Sequence, residues 1–521
     1  MRIRCGFNLR VITREMKIMR QTVLSTLVLA GFFLPSALTF AASPEINELY
    51  QRHCSSCHGE KGDGQGPAAY LLWPKPRDFT RGVYKFRSTP TGAPPTDQDL
   101  HRTLQRGVAG TSMPSWDRLS EQELTDVINY VKSFSDIFTY EDAIEPPIAI
   151  ASAPKSTEAS VQAGKQVYIE MECEKCHGPR GKGDGSAAST LTDDLERPIR
   201  PYDFTRGPGL MKGGVSPEDI YRTFMTGLDG TPMPSFIDDL TEEQRWQLVH
   251  YIQSLSSTGD EPAPAGPTAT PTLQAVKISA DPSLDIDDPI WEQATATIVP
   301  LRPLWARDAW VDTVKVQVAI GKKMAAFRLQ WHDTKKNEEV IRLRDFRDAV
   351  AIQYVPQGEP GDYVGIPFIG MGDEQDVVTI WHWKADWEAD MAAGFGDVVQ
   401  KYGVTMDPMS PHADHTSDEI YLAGRAAANP LSANQHRTPV QVLAAKGFGT
   451  LTSLPAADQT VEGHGVWRNG MWTVVMRQAL DSSSALGQKK ILPVAIAAWD
   501  GSDHDRNGQK SVSQWMELRI E

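Results

Sequence analysis

Two stretches of this sequence, "CSSCHGEKGDGQG" at 54–66 and "CEKCHGPRGKGDG" at 173–185, each set two cysteines and a histidine within five residues. A Cys-x-x-Cys pair alone suits half of a zinc site or a dithiol redox pair. A histidine directly after the second cysteine changes the chemistry. The two thiols can then form thioethers to the vinyl groups of a haem, and the adjoining imidazole stands ready to ligate iron from one side. A zinc reading needs a second Cys/His pair at finger spacing in each copy, and the sequence has none. Cys54, Cys57, Cys173 and Cys176 are therefore expected to attach two haems c covalently, with His58 and His177 on the irons.

The motif belongs to a longer repeat offset by about 120 residues, in which "RTLQRGVAGTSMPSW" (102–116) recurs as "RTFMTGLDGTPMPSF" (222–236) and "RDFTRG" (77–82) as "YDFTRG" (202–207). Met113 and Met233 fall at matching places before a Pro, 55 and 56 residues beyond His58 and His177. They are the candidate sixth ligands, since a thioether raises the reduction potential relative to bis-histidine ligation. His53, His101 and His250 have no counterparts in the repeat and are expected on the surface or near the haem propionates. Each copy closes on an amphipathic segment; in the first, Leu124, Val127, Ile128 and Val131 share a helical face. Ser120 and Thr241 stand at the N-cap positions, with Glu123 at capping-box spacing. The repeats read as two all-α domains, 43–140 and 158–256.

Residues 1–42 have the layout of a secretory signal peptide: six basic residues, one acid, then an apolar run ending in small residues. The polar residues within that run favour cleavage over a retained anchor, and no other run approaches a membrane span. The expected location is periplasmic. The fifth cysteine, Cys5, lies in this leader, so none is left for a disulfide. The formal charge of −15 becomes −20 without the leader, which disfavours nucleic acid and anionic membranes as partners.

A linker rich in Pro, Ala and Thr (257–273) leads into a region of period-two alternation at 314–321, 324–331, 349–355, 376–383 and 471–480. Residues 274–521 are thus expected to form a mainly β, sandwich-like domain, giving a multidomain chain of two all-α units followed by a β unit. With no Cys-x-x-Cys beyond 176, a cofactor there would be noncovalent. From residue type alone, His332, His382 and His504 are the candidate ligands. Residues 390–465, with His412, His415 and His436, read as a polar insertion of no assigned role.

Both repeats resemble class I cytochromes c: "CSSCH" or "CEKCH" after a first helix, "GDG" in the next loop, and "MPS" before the last helix. The stretches "LQWHDT" (329–334), "PFIGMGDEQDVVTIWHWKADW" (367–387) and "AIAAWDGSDHDRNGQKSVSQW" (495–515) resemble the haem b-binding gamma subunits of ethylbenzene dehydrogenase, dimethylsulfide dehydrogenase, and selenate and chlorate reductases. That resemblance implies one haem b held by Met371 and Lys510, and partner subunits that carry molybdenum and iron–sulfur clusters. It implies an electron-transfer subunit with two haems c and one haem b, exchanging electrons with a soluble cytochrome or a terminal oxidase. With every iron six-coordinate, no catalysis by the chain alone is expected. The alternatives are a dihaem cytochrome c whose sandwich binds a partner or ligand without haem, and an enzyme in which one haem is five-coordinate.

Overall fold

The computed structural model describes residues 44–206, 211–214, 216–256, 270–307, 309–340, 344–356, 371–373, 375–393, 436–481 and 484–520. The leader and most of the Pro-rich linker lie outside these residues, as do His412 and His415.

The first helical unit runs α1 (Pro44–His53), α2 (Ser55–His58), α3 (Asp97–Arg106) and α4 (Glu121–Lys132). The second runs α5 (Glu158–Glu170), α6 (Glu174–His177), α7 (Pro217–Thr226) and α8 (Glu242–Leu255). Capping boxes start five of the helices: Thr96 with Asp99, Ser120 with Glu123, Thr157 with Ser160, Ser216 with Asp219, and Thr241 with Gln244. Each such cap contributes about 1 kcal/mol by satisfying amides that the first turn leaves unpaired. In both units the first long helix packs on the last. Leu49 and Tyr50 meet Val127, Ile128 and Val131 in one; Val167 and Tyr168 meet Leu248, Tyr251 and Ile252 in the other. The second crossing is so close that a Cβ on Gly164 would lie 1.9 Å from the Gln247 carbonyl oxygen.

The β domain contains β1 (Leu273–Lys277), β2 (Thr297–Pro300), β3 (Arg302–Pro303), β4 (Thr313–Ile320), β5 (Met324–His332), β6 (Ala349–Tyr354), β7 (Val378–Lys384), β8 (Val440–Ala445), β9 (Thr452–Ser453), β10 (Glu462–Arg468), β11 (Met471–Ala479), β12 (Ile491–Trp499), β13 (Ser511–Val512) and β14 (Met516–Ile520). One hydrogen-bonded path runs β10-β11-β5-β4-β1-β14-β12-β6-β7-β8-β9. β1 is parallel to both β4 and β14, and the other pairs are antiparallel. The path folds over on itself, because β10 near one end faces β7 and β8 near the other. A Cβ on Gly465 would meet the Trp383 ring at 2.2 Å, and one on Gly463 would meet Val440 at 2.4 Å. The result is a sandwich whose layers are joined through β1 and β14, with Phe327, Trp331, Trp381, Trp383 and Trp472 between them. β8, β9 and part of β10 fall within the stretch read as a polar insertion; from Val440 onward those residues belong to the sheet.

β6, β7 and β12 are buried on both sides. Their sandwich face carries Val350, Ile352, Tyr354, Trp381 and Trp383, whereas the opposite face carries Ala349, Ala351, Ala495 and Ala497, edged by Val378, Ile380, Trp499 and Trp515. Bulk on one side and alanine on the other leave a flat floor of alanine, with His382, Lys384 and Gln353 on the same face.

The three domains dock through ion pairs of varied burial. Arg87, with no exposed side-chain surface, reaches Asp229 at 2.7 Å, and Arg106 reaches Asp219 at 2.9 Å. Arg52 pairs with Asp376 and, at 3.5 Å, with Asp373. Trp73 stacks on Trp305 with ring centroids 5.9 Å apart, and Ala306 N donates to Trp73 O at 2.7 Å.

Candidate haem sites and relatives

In each helical unit the first long helix ends at the first cysteine and a four-residue helix carries the second cysteine and the histidine. Tyr50 Oη donates to Gly59 O at 2.9 Å, and Tyr168 Oη to Gly178 O at 2.7 Å, which ties each motif to the preceding helix. Cys54, Cys57, Cys173 and Cys176 are unpaired. Burial pushes the Cys54 and Cys57 thiols up to about 12 and Cys173 up to about 11. Burial thus favours their thiol form in neutral solution.

The imidazoles are held in matching ways. His58 Nδ1 lies 3.0 Å from Arg77 O and His177 Nδ1 lies 3.1 Å from Tyr202 O. A carbonyl only accepts, so Nδ1 carries the proton and Nε2 is left with a free lone pair. Burial lowers His58 to about 4 and lowers His177 as well, so both rings are neutral. Phe79 stacks on His58 at 4.5 Å and Phe204 on His177 at 4.6 Å. These two phenylalanines are the second residues of the repeated "DFTRG", a motif whose repetition was evident but whose packing role was not.

The Met-Pro loops also repeat in detail. Val108 N donates to Met113 O at 3.1 Å and Met113 N to Thr111 Oγ1 at 3.2 Å; Leu228, Met233 and Thr231 make the same pair at the same distances. The helix before each loop stops at a glycine of positive φ, Gly107 (+63°) or Gly227 (+67°). A Cβ there would sit 2.5 or 2.8 Å from the carbonyl carbon of Pro114 or Pro234, so glycine lets the loop close over the helix end.

His250 departs from the sequence expectation. It is 5% exposed and joins Ser160 Oγ (2.8 Å) to Pro154 O (3.1 Å), pinning α8 to α5. His53 is also buried, against the edge of Trp116. His101 pairs with Glu121.

In the β domain, Met371 packs at one end of the alanine floor, its carbonyl accepting from Gly447 N at 2.9 Å. Lys510 serves the other end, with Nζ 5.0 Å from the centre of the Trp499 ring; burial lowers it to about 8. His382 lies between, stacked on Trp499 at 4.7 Å, with Nε2 buried and unpartnered among the described residues. Of the three rival histidines, only His382 reaches this floor: His332 and His504 are exposed, and His504 sits at φ +61° against Phe346. His436 stacks on Trp387 at 3.8 Å. An alanine floor, a soft thioether, a depressed amine and an orphaned imidazole nitrogen fit a flat, noncovalent iron macrocycle.

One link joins the first helical site to this floor. The half-buried Arg302 on β3 donates from Nη1 to Met113 O at 3.3 Å, and its backbone pairs with Val512, two residues after Lys510. Leu304 N donates to Lys510 O at 3.2 Å. Between the two helical units lies a cavity of about 400 Å³ lined by Lys85, Arg87, Arg102, Arg106, Lys212 and Arg222, a basic enclave in an acidic chain.

Residues 44–135 and 161–256 match the family model described as cytochrome c, and residues 288–511 match the one described as ethylbenzene dehydrogenase. The chain is a tandem cytochrome c fused to an ethylbenzene dehydrogenase-type domain. The chain is 24% identical over 290 residues to the chlorate reductase subunit gamma of Ideonella dechloratans, covering 53% of this chain and 97% of the relative. It is 27% identical over 257 residues to the dimethylsulfide dehydrogenase subunit gamma of Rhodovulum sulfidophilum, covering 45% and 75%. Among solved structures, a chain of the Kuenenia stuttgartiensis reducing HAO-like protein complex is 46% identical, covering 41% of this chain and 96% of that one, with a TM-score of 0.40. The cytochrome c domains make this an electron-transfer protein. Among the described residues, no helix is long and apolar enough to cross a membrane.

Proposed function

We propose that the chain is the periplasmic electron-transfer subunit of a molybdenum oxidoreductase, holding two covalent haems c and one noncovalent haem b in a row. Haem, when bound, supplies reversible one-electron chemistry at iron. His58 with Met113 and His177 with Met233 would hold the two haem c irons, and Met371 with Lys510 the haem b iron. The chain's own contribution is positional. The carbonyls of Arg77 and Tyr202 fix the imidazole tautomers, the buried thiols stay available for thioether bonds, and the alanine floor excludes water from the third site.

The observation that carries the reading is Arg302. It touches the backbone of one candidate iron ligand and leads through a two-residue strand pairing to the neighbourhood of another. A docking module without a redox group has no need of such continuity. The gamma-subunit relatives support a partner that bears molybdenum and iron–sulfur clusters, with a soluble cytochrome or terminal oxidase at the other end of the row. The pyridine haemochrome spectrum of the mature protein, taken before and after acid-acetone extraction, tests this. Two haems c to one extractable haem b is the expected result; two c and no b would reduce the third domain to a binding module.

A further inference from the structure

Three carboxylates unused by the haem reading meet at one end of the β domain. Asp333 follows β5, Asp348 precedes β6 and Asp500 follows β12, and each offers an oxygen within 4.8 Å of the other two. Asp333 is 2% exposed and Asp348 fully buried. Asp348 is held by three donors: Gly501 N at 2.9 Å on Oδ1, with Trp472 Nε1 at 2.9 Å and Asn337 N at 2.6 Å on Oδ2. Asp500 Oδ1 accepts from Ser502 N at 2.7 Å. Asp333 Oδ1 accepts from Lys335 N at 3.0 Å, but its Oδ2 is buried with no partner.

That orphaned oxygen separates this cluster from an ordinary acidic patch. A carboxylate oxygen removed from water needs a donor or a cation, and here its neighbours are two more carboxylates. Among the described residues no lysine or arginine pairs with any of the three, and the nearby Arg307 is committed to Asp505. Burial, and then the facing carboxylates, push Asp333 upward. A proton shared between Asp333 and Asp348 would relieve one pair. With that proton on Asp333, the three donors keep Asp348 ionised, and Asp500 still faces it. A divalent cation attracts all three at once and offsets two of their three charges. The donors are all hard oxygens from two separate connections, which suits calcium's flexible coordination better than a soft or strictly octahedral metal.

We propose that Asp333, Asp348 and Asp500 form a calcium site that ties the β5–β6 connection to the β12–β13 connection. The latter begins at Asp500 and ends at Lys510, so the cation orders the segment that serves the alanine floor. The site itself stands whether or not haem b binds there.

The haem-loaded protein, stripped with EDTA and dialysed into metal-free buffer, is titrated with calcium chloride by calorimetry, and retained calcium is counted by elemental analysis. One calcium per chain and a calcium-dependent rise in Tm are expected, with both lost in Asp333→Asn. Should that variant not fold, Asp500→Asn, at a less buried position, makes the same comparison. No calcium retained by the wild type at millimolar calcium chloride, with a Tm indifferent to EDTA, would overturn the site in favour of a shared proton. Undiminished binding by Asp333→Asn would overturn it by moving the calcium elsewhere.

Discussion

Replacing Arg87 by alanine tests what holds the two cytochrome c domains in register. Its guanidinium donates to Pro90 O (3.1 Å) and Tyr84 O (3.2 Å) in its own domain, and to Thr226 O and Asp229 Oδ1 (both 2.7 Å) in the other. The side chain has no exposed surface and that of Asp229 is 18% exposed. Truncation removes four bonds and leaves a carboxylate and three carbonyls to find new donors in a closed junction. Breaking a buried pair from one side costs about 3–5 kcal/mol. Asp229 keeps the donor Gly92 N at 3.0 Å, which favours the lower end. At about 2–4 °C per kcal/mol for a unit of this size, the helical half should lose roughly 6–12 °C in Tm. The assay is thermal unfolding followed in the Soret band, with Asp229→Asn and the double variant completing a cycle. Arg87→Lys should recover only part of the loss, because an ammonium cannot serve four acceptors in fork geometry. A Tm within about 1 °C of wild type, or a coupling energy below about 0.5 kcal/mol, would refute the assignment of this pair as the clamp.

Lys510→Ala should abolish acid-extractable haem b while leaving two haems c per chain, as read by the haemochrome spectrum. Met113→His should lower the potential of one haem c in a redox titration and leave the other in place, since imidazole stabilises ferric iron more than a thioether does. Lys384, 2% exposed and donating to Gln441 Oε1, is lowered by burial to about 7. Its unfolded value is about 10.4, so the unfolded state binds the extra proton between these limits and stability rises with pH across that window. Wild type should therefore gain about 3 kcal/mol on Lys384→Met between pH 7 and 10 in denaturant titrations, and parallel curves would count against it. Gly465→Ala should cost about 1–3 kcal/mol in the β domain by pressing a methyl group into Trp383.

Much of the helical half was legible because its signals are local. A motif of five residues names the attachment chemistry, a Ser or Thr three places before an acidic or amide residue marks four of the helix starts, and the repeat supplies a control on every reading. The five strands read from alternation all appear within two residues of their expected limits. What escaped is nonlocal or two-sided. The stretch "AVAIQYV" reads as a strand with one buried face, yet all of β6 is buried, because its alanines face the third site and its larger residues face the sandwich. His382 was one of three candidate histidines, and what sets it apart, an unpartnered nitrogen beside Trp499, depends on what β12 places next to it. β8 was lost in a segment whose polar majority hid Val440 and Val442. His250 was misplaced because its partners, Ser160 and Pro154, come from the opposite end of its domain.

The position of β1 bears on how the chain matures. β1 lies between β4 and β14, so residues 273–275 pair with 518–520 across almost the whole β domain. Each cytochrome unit, by contrast, closes within about a hundred residues of its own start. During vectorial synthesis the two helical units have every partner they need long before the sheet does. Until residue 520 has emerged, β1 offers one unpaired edge and β12 another, and the alanine floor lacks its support. On the proposed haem assignment, the units with covalent attachment can be completed first and the noncovalent site last.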